Sequence, residues 1–198
     1  MLTKVATYNF SRSGPMIEVR LHGRGGQGAV TSAELIAISA INQNKYAQAF
    51  PSFGPERRGA PVMAFVRVSE EKIRLREKVY NPDIVVVLDP SLPTIVNVTA
   101  GLKEDGWVIL NSSKDEKTLR EMLGGYKGKL AVVDATKIAM EVLGLPITNT
   151  TMLGAFLKAT GLVDQKYLEE ALEHRFGRLA EKNKAAMARA IEETKLYT

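Results

Sequence analysis

The segment GRGGQG, Gly23 to Gly28, sets four glycines between a strand-like run, Ile17 to His22, and a helical stretch from Ala29 to about Ile41. Such a junction is suited to gripping an anion. Glycines at Gly23, Gly25, Gly26 and Gly28 can take positive φ and let a ligand approach the backbone. The helix that follows turns its unpaired N–H groups and the positive end of its dipole toward that ligand. The spacing Gly23, Gly25, Gly28 also satisfies the dinucleotide pattern GxGxxG, whose other half is an acidic residue about 20 positions on that holds a ribose. From Asn42 to Pro55 the chain reads NQNKYAQAFPSFGP, without a carboxylate. The glycines alone leave two readings open, an anion site and a tight strand-to-helix turn with no ligand.

A second segment, PSFGPERRGAP from Pro51 to Pro61, offers fixed charge. Its prolines and glycines stiffen the loop while Glu56, Arg57 and Arg58 project from it. Paired guanidinium groups present planar, bidentate donors to phosphate or carboxylate. Arginines in an exposed loop serve equally as solvated ion-pair partners. Ser52 has no histidine nearby in sequence to activate it, so a nucleophilic serine is a poor reading.

Other chemistries are limited by composition. The chain has no cysteine, which excludes disulfides, thiol catalysis and cysteine-ligated zinc or iron–sulfur clusters within it. Its two histidines, His22 and His174, are too few and too far apart in sequence to suggest a metal site. His22 is expected to cap the first strand, and His174 to lie on an exposed helix face. A net charge of +5 suits an anionic ligand or an acidic partner, but the positive residues are spread along the chain, so nucleic-acid binding gains little. The longest apolar runs are strand-length, too short to span a bilayer. Residues 1–15 hold no continuous apolar stretch and read as a loosely held N-terminal extension rather than a secretory signal. A cytoplasmic protein is expected.

These segments need a frame. With 198 residues and 45% apolar content, the chain can bury one sizeable core, and residues 16–198 are expected to form one α/β domain. Buried-type strands are read at Ile17 to His22, Val62 to Val68, Ile84 to Leu88, Trp107 to Leu110 and Leu130 to Asp134, with helix-length segments between most of them. The alternation predicts a three-layer, Rossmann-like α/β fold, a mostly parallel sheet with helices on both faces. Asp89 and Asp134 each end an apolar strand at the sheet's carboxyl edge, where each either meets a ligand or caps the next helix. Ala29 to Ile41 is apolar nearly all round, as for a helix packed between the sheet and something else. Lys114-Asp115-Glu116 opens a helix that runs to about Leu123 and is closed by Gly124-Gly125. From Asp164 the tail reads as a charged helix pair with Leu168, Leu172, Phe176, Leu179 and Met187 facing inward.

Four blocks, GRGGQGAVTSAELIA, SFGPERRGAPVMAFVRVS, NPDIVVVLD and ITNTTMLGA, resemble in kind and order the gamma subunit of pyruvate:ferredoxin oxidoreductase and related 2-oxoacid:ferredoxin oxidoreductases. The resemblance runs from Ile17 to about Gly161. The family's second block more often reads YGPExRGG, and here Phe53 replaces the tyrosine and Ala60 the last glycine. What the resemblance implies is a division of labour. Alpha and beta subunits would hold thiamine diphosphate with Mg2+, a ferredoxin-like delta subunit the 4Fe-4S clusters that reduce ferredoxin, and gamma would be structural and take part in the coenzyme A site. The 3′-phosphate and pyrophosphate of coenzyme A need N–H donors and fixed cations, which Gly25, Gly26 and Gly28 and Arg24, Arg57 and Arg58 would supply. Gln27 would bond a pantetheine amide or a partner loop. An indolepyruvate oxidoreductase subunit and a freestanding nucleotide-binding module are the alternatives.

Overall fold

The computed structural model describes residues 16–52 and 58–198. They form one seven-stranded sheet in the order β2-β3-β1-β4-β5-β6-β7. Its strands are β1 (Met16–Arg24), β2 (Tyr46–Pro51), β3 (Pro61–Ser69), β4 (Ile84–Val87), β5 (Trp107–Asn111), β6 (Lys129–Val133) and β7 (Lys195–Tyr197). Six helices accompany them, α1 (Ala29–Asn42), α2 (Glu116–Met122), α3 (Ala135–Leu143), α4 (Asn149–Thr160), α5 (Gln165–Phe176) and α6 (Ala180–Glu193).

Sheet direction departs from expectation. β1, β4, β5 and β6 pair parallel, but β1–β3, β2–β3 and β6–β7 are antiparallel, so the described sheet is mixed. Connectivity accounts for β2–β3, which are joined as a hairpin, a link that needs only a short loop; β3 then pairs with β1 beyond α1 and β2, and β7 reaches β6 only after α3 to α6. The segment between Asn42 and Pro55, read only for its lack of acids, contains strand β2. Pro51 ends β2 and Pro61 opens β3, making the arginine-bearing segment the loop of that hairpin.

Both faces of the sheet are covered, as expected, but unequally. Alternate strand residues face opposite ways. Val19, Leu21, Ala64, Val66, Ile84, Val86, Ile109 and Val133 join a core with residues of α1, α3, α4, α5 and α6. On the other face Val85, Val87, Val108, Leu110, Leu130 and Val132 pack with Leu119 and Leu123 of α2 and with Leu92 and Val98 of a 3-10 turn and loop. The "something else" over α1 lies within the chain, since α1 contacts α4 and α5 as well as β1, β2 and β3. Gly154 on α4 lets α6 come close, for a Cβ there would stand within clashing distance of the Met187 carbonyl.

Local signals that carry a mechanism hold. Asp115 caps α2 by accepting the Thr118 N–H at 3.1 Å, Glu116 pairs with Arg120 at 2.7 Å, and Gly124 and Gly125 end the helix at positive φ. Asp134 caps α3 through the Lys137 N–H. His174 is exposed, and Leu168, Leu172 and Met187 are buried. Leu179 is a correction, being 61% exposed. It sits in the 3-10 turn between α5 and α6, whose geometry breaks the helical period that would have carried it inward.

Candidate functional site

The chain passes from β1 through α1 to the β2–β3 side of the sheet, then returns to build β4, β5 and β6 on the other side. The connection after β1 therefore borders the crevice where strand order reverses, the usual ligand position in open α/β sheets. GRGGQG occupies that connection. Of its four glycines only Gly26 (φ 96°) and Gly28 (φ 80°) lie at positive φ. Gly23 is small for packing instead, since a Cβ there would come within 3.2 Å of Leu88 and 3.3 Å of Ala29. Gly28 is doubly constrained, because a Cβ would also stand 2.5 Å from Asn149 Nδ2 at the start of α4.

Side chains hold the turn. The Gln27 N–H donates to the Arg24 carbonyl at 2.9 Å, and the Arg24 N–H returns a bond to Gln27 Oε1 at 2.7 Å. Gln27 Nε2 donates to Asp89 Oδ2 at 2.7 Å, so both ends of the amide are engaged within the chain. Arg24 donates to the Gly59 carbonyl at 3.0 Å and to Ser91 Oγ at 2.8 Å, with its Nε 3.3 Å from Asp89. Burial works to raise the Asp89 pKa, but hydrogen bonds from Ser91 and Gln27 and the charge of Arg24 outweigh it and hold the carboxyl below its ordinary range. Asp89 thus has two duties that its place at the end of IVVVLD left open: Oδ2 faces the turn, and Oδ1 accepts the Ser91 N–H at 2.9 Å at the entry to the 3-10 turn Leu92–Thr94.

The two segments singled out by sequence meet here. Gly25 donates to the Ala60 carbonyl at 2.9 Å, and Gly59 donates to the Gly25 carbonyl at 3.1 Å. The end of the hairpin loop is thereby laid along the turn, with exposed Arg58 beside it. Phe53, Glu56 and Arg57 lie outside the described residues. α1 starts at Gly28 with no side-chain cap and no acidic residue in its first turn. Among the described residues, the N–H groups of Gly26 and Gly28 find no acceptor. The arrangement can receive an anion on backbone N–H groups and a helix dipole, with Arg58 as a nearby cation. Asn149 is the participant that sequence reasoning missed; ITNTTMLGA marked its segment, but no spacing rule places α4 against Gly28.

His22 is also corrected. It is buried in β1, where Nε2 accepts from Arg20 Nε at 3.0 Å, and burial followed by the Arg20 charge lowers its pKa to about 3. A neutral acceptor beside a buried guanidinium is the role, not a strand cap. Among the described residues no cluster of three or more histidines and carboxylates is placed to hold a metal ion. No helix among them is long and apolar enough to cross a membrane.

The profile of the pyruvate ferredoxin/flavodoxin oxidoreductase family matches residues 18–193. The chain belongs to this family. It is 56% identical over 183 residues to a Thermococcus kodakarensis protein described as the common gamma subunit of pyruvate and ketoisovalerate oxidoreductases, covering 92% of this chain and 99% of that one. It is also similar to the pyruvate oxidoreductase subunit PORC of Thermotoga maritima, with TM-score 0.84 and 40% identity over 93% of this chain and all of that one. A more distant likeness, of fold alone, is to a 2-oxoglutarate:ferredoxin oxidoreductase from Magnetococcus marinus solved with 2-oxoglutarate, coenzyme A and succinyl-CoA. There the TM-score is 0.69 at 19% identity, over 90% of this chain and 31% of that one. The family member in hand is of the gamma type, a subunit of a multi-subunit 2-oxoacid:ferredoxin oxidoreductase.

Proposed function

We propose that this gamma subunit serves the coenzyme A step of its oxidoreductase, receiving the cosubstrate's phosphates at the glycine-rich turn. The observation that carries the reading is the docking of Gly59 and Ala60 onto Gly25, which sets Arg58 beside the uncapped start of α1. The proposed contacts are the backbone N–H groups around Gly25, Gly26 and Gly28 with the charge of Arg58, and Arg57 is assigned to the same anion from its place beside Arg58 in the sequence. Gly25 already donates within the chain, so Gly26, Gly28 and the first turn of α1 carry the larger share. Arg24 and Gln27 contribute by keeping the turn in shape, and Arg24 adds its charge from where it stands. The effect on rate is positioning, because a thiol held beside its acyl acceptor site gains effective concentration without an acid or base from this chain.

Decarboxylation of the 2-oxoacid is chemistry that thiamine diphosphate with Mg2+ supplies on alpha and beta subunits, and 4Fe-4S clusters on a delta subunit carry electrons to ferredoxin. This chain lacks the thiolates such clusters need. It is inactive alone, works in the cytoplasm, and leaves substrate choice to its partners. That the Thermococcus relative is described as common to pyruvate and ketoisovalerate enzymes supports the last point.

Changing Arg57 or Arg58 to alanine in the assembled complex removes a charge-assisted contact worth roughly 1.5 to 3 kcal/mol. Coenzyme A then binds about ten- to a hundredfold more weakly in calorimetry, while oxoacid affinity barely moves. An assembled variant complex with unchanged coenzyme A affinity eliminates the ligand role and leaves a subunit-interface role for these arginines.

A further inference from the structure

Farther along the same sheet edge, past β4, the ends of β5 and β6, the start of α3 and the start of β7 enclose a cavity of about 230 Å³. Lys114, Lys137 and Lys195 line it. They come from three elements separated by 23 and 58 residues of chain, so the sequence shows no cluster and the fold makes one. Each is exposed, and none forms an ion pair or a side-chain hydrogen bond with another described residue, although like charges gathered round one space repel.

Two carboxylates also line it, each engaged elsewhere through one oxygen. Asp134 accepts the Lys137 N–H as the cap of α3, and Glu193 pairs with Arg189. Hydroxyl donors complete the lining. Ser113 is exposed, and Ser112 Oγ accepts the Lys114 N–H at 3.1 Å, which leaves its own hydrogen to donate inward. Three lysines and two hydroxyls share this small polar space with two carboxylates, so cationic side chains outnumber anionic ones three to two and the lining is net positive, with none of the three ammonium groups paired to either carboxylate. The volume decides the class of occupant. Pockets for whole drug-sized ligands begin at about 300 Å³, so this one suits a phosphoryl or diphosphate group rather than a complete cofactor.

We propose that this cavity is a second anion site, separate from the glycine-rich turn, that takes a phosphate-bearing ligand on Lys114, Lys137 and Lys195. It does not depend on the coenzyme A reading of the turn. The ligand is either free inorganic phosphate or diphosphate, or the phosphorylated end of a nucleotide.

The test is calorimetry of the full chain with pyrophosphate, at low and at physiological salt. The expected result is saturable binding that weakens with salt and falls about tenfold in each of Lys114→Ala, Lys137→Ala and Lys195→Ala. Lys→Arg replacements at the same positions should retain it. Lys72→Ala in the loop after β3 should leave it unchanged. Because all three lysines are exposed, the variants are expected to keep the wild-type circular dichroism spectrum and melting temperature. Adenosine 3′,5′-bisphosphate displacing pyrophosphate identifies a nucleotide source, and failure to displace it identifies the inorganic anion. Absence of pyrophosphate binding to the wild-type chain, or binding that survives in the three alanine variants, overturns the proposal.

Discussion

Two halves of one sheet face close themselves by different means. Over β4, β5 and β6 that face is Val85, Val87, Val108, Leu110, Leu130 and Val132 against Leu92, Val98, Leu119 and Leu123. Over β1 and β3 the same face carries Arg20, His22 and Arg67, all buried. Arg67 is 1% exposed, lies over the Phe50 ring at 5.3 Å, and reaches Glu18 at 2.8 Å and the Lys78 carbonyl at 3.3 Å. Arg20 donates to the Val98 and Ala100 carbonyls at 3.0 and 2.6 Å as well as to His22. The apolar half is closed by burial, which is non-directional and indifferent to pH. The polar half is closed by directional bonds that tie the 70–82 and 92–102 segments to the sheet, so each bond left half-made costs desolvation with nothing in return.

The difference should be largest at Arg67. Arg67→Ala strands the partly buried Glu18 and is expected to cost about 3 to 5 kcal/mol in denaturant unfolding. The double change Arg67→Met with Glu18→Leu should recover most of that loss, because it makes this half resemble the other and removes a buried Nη1 that has no hydrogen-bond partner among the described residues. A double variant no better than Arg67→Ala would show that the pair cannot be replaced by packing.

On the opposite face the halves meet where Gly28, at the start of α1, touches Asn149 of α4. Gly28→Ala puts a side chain at φ 80° and 2.5 Å from Asn149 Nδ2. A loss of about 2 to 3 kcal/mol is expected, combining left-handed strain with overpacking. Gly26→Ala, with nothing within 4 Å of its Cβ, meets the strain alone and should lose less. Equal losses at the two positions would dismiss the α4 contact as a reason for the glycine.

pH separates the halves more gently. The folded His22 pKa is lowered to about 3 from 6.5, so below pH 6.5 the unfolded chain takes up a proton that the folded chain refuses. Stability is therefore complete above that value and declines as pH falls toward 3, by about 2 kcal/mol at pH 5. Asp89, whose pKa is lowered from 3.8, loses its contribution only at more acid pH, which leaves the interval from pH 7 to 5 to His22. His22→Gln, which keeps an acceptor for Arg20, should flatten the dependence of the urea midpoint over that interval; an unchanged slope would assign it elsewhere. The smallest effect is expected at the seam between β1 and β4. Asp89→Asn removes the charge that faces Arg24 at 3.3 Å in a partly exposed site, a loss of about 1 kcal/mol.

Much of the frame was legible in the residues. The five strands read in the residues are β1, β3, β4, β5 and β6; β4, β5 and β6, buried on both faces, write themselves as continuous apolar runs, whereas β1 alternates Ile17, Val19 and Leu21 with Glu18, Arg20 and His22. Asp115 and the glycines Gly124 and Gly125 marked the ends of α2 because capping is local chemistry. β2 escaped because YAQAFP at the sheet's edge is short, mixed and ends in proline. Strand direction escaped as well, since no residue records whether the next strand returns by hairpin or crossover. Leu179 shows the same limit, for a 3-10 turn shifts the face that helical spacing would assign.

At the site the division is sharper. GRGGQG and the arginine-bearing loop were each visible, and the order of four blocks pointed to the family, because backbone freedom, fixed charge and motif order belong to the chain itself. That Gly23 is small for Leu88, that Gly28 is small for Asn149, and that Gln27 and Arg24 close on Asp89 are contacts across 62 to 121 residues of sequence. The same holds for the three lysines at the far end of the edge. Sequence determines which groups can donate, accept or bend. Only packing of β1 against β4, of α1 against α4 and of β7 beside β6 decides which of those groups are satisfied within the chain and which are left for a ligand, because satisfaction depends on distances that close only when the sheet is built.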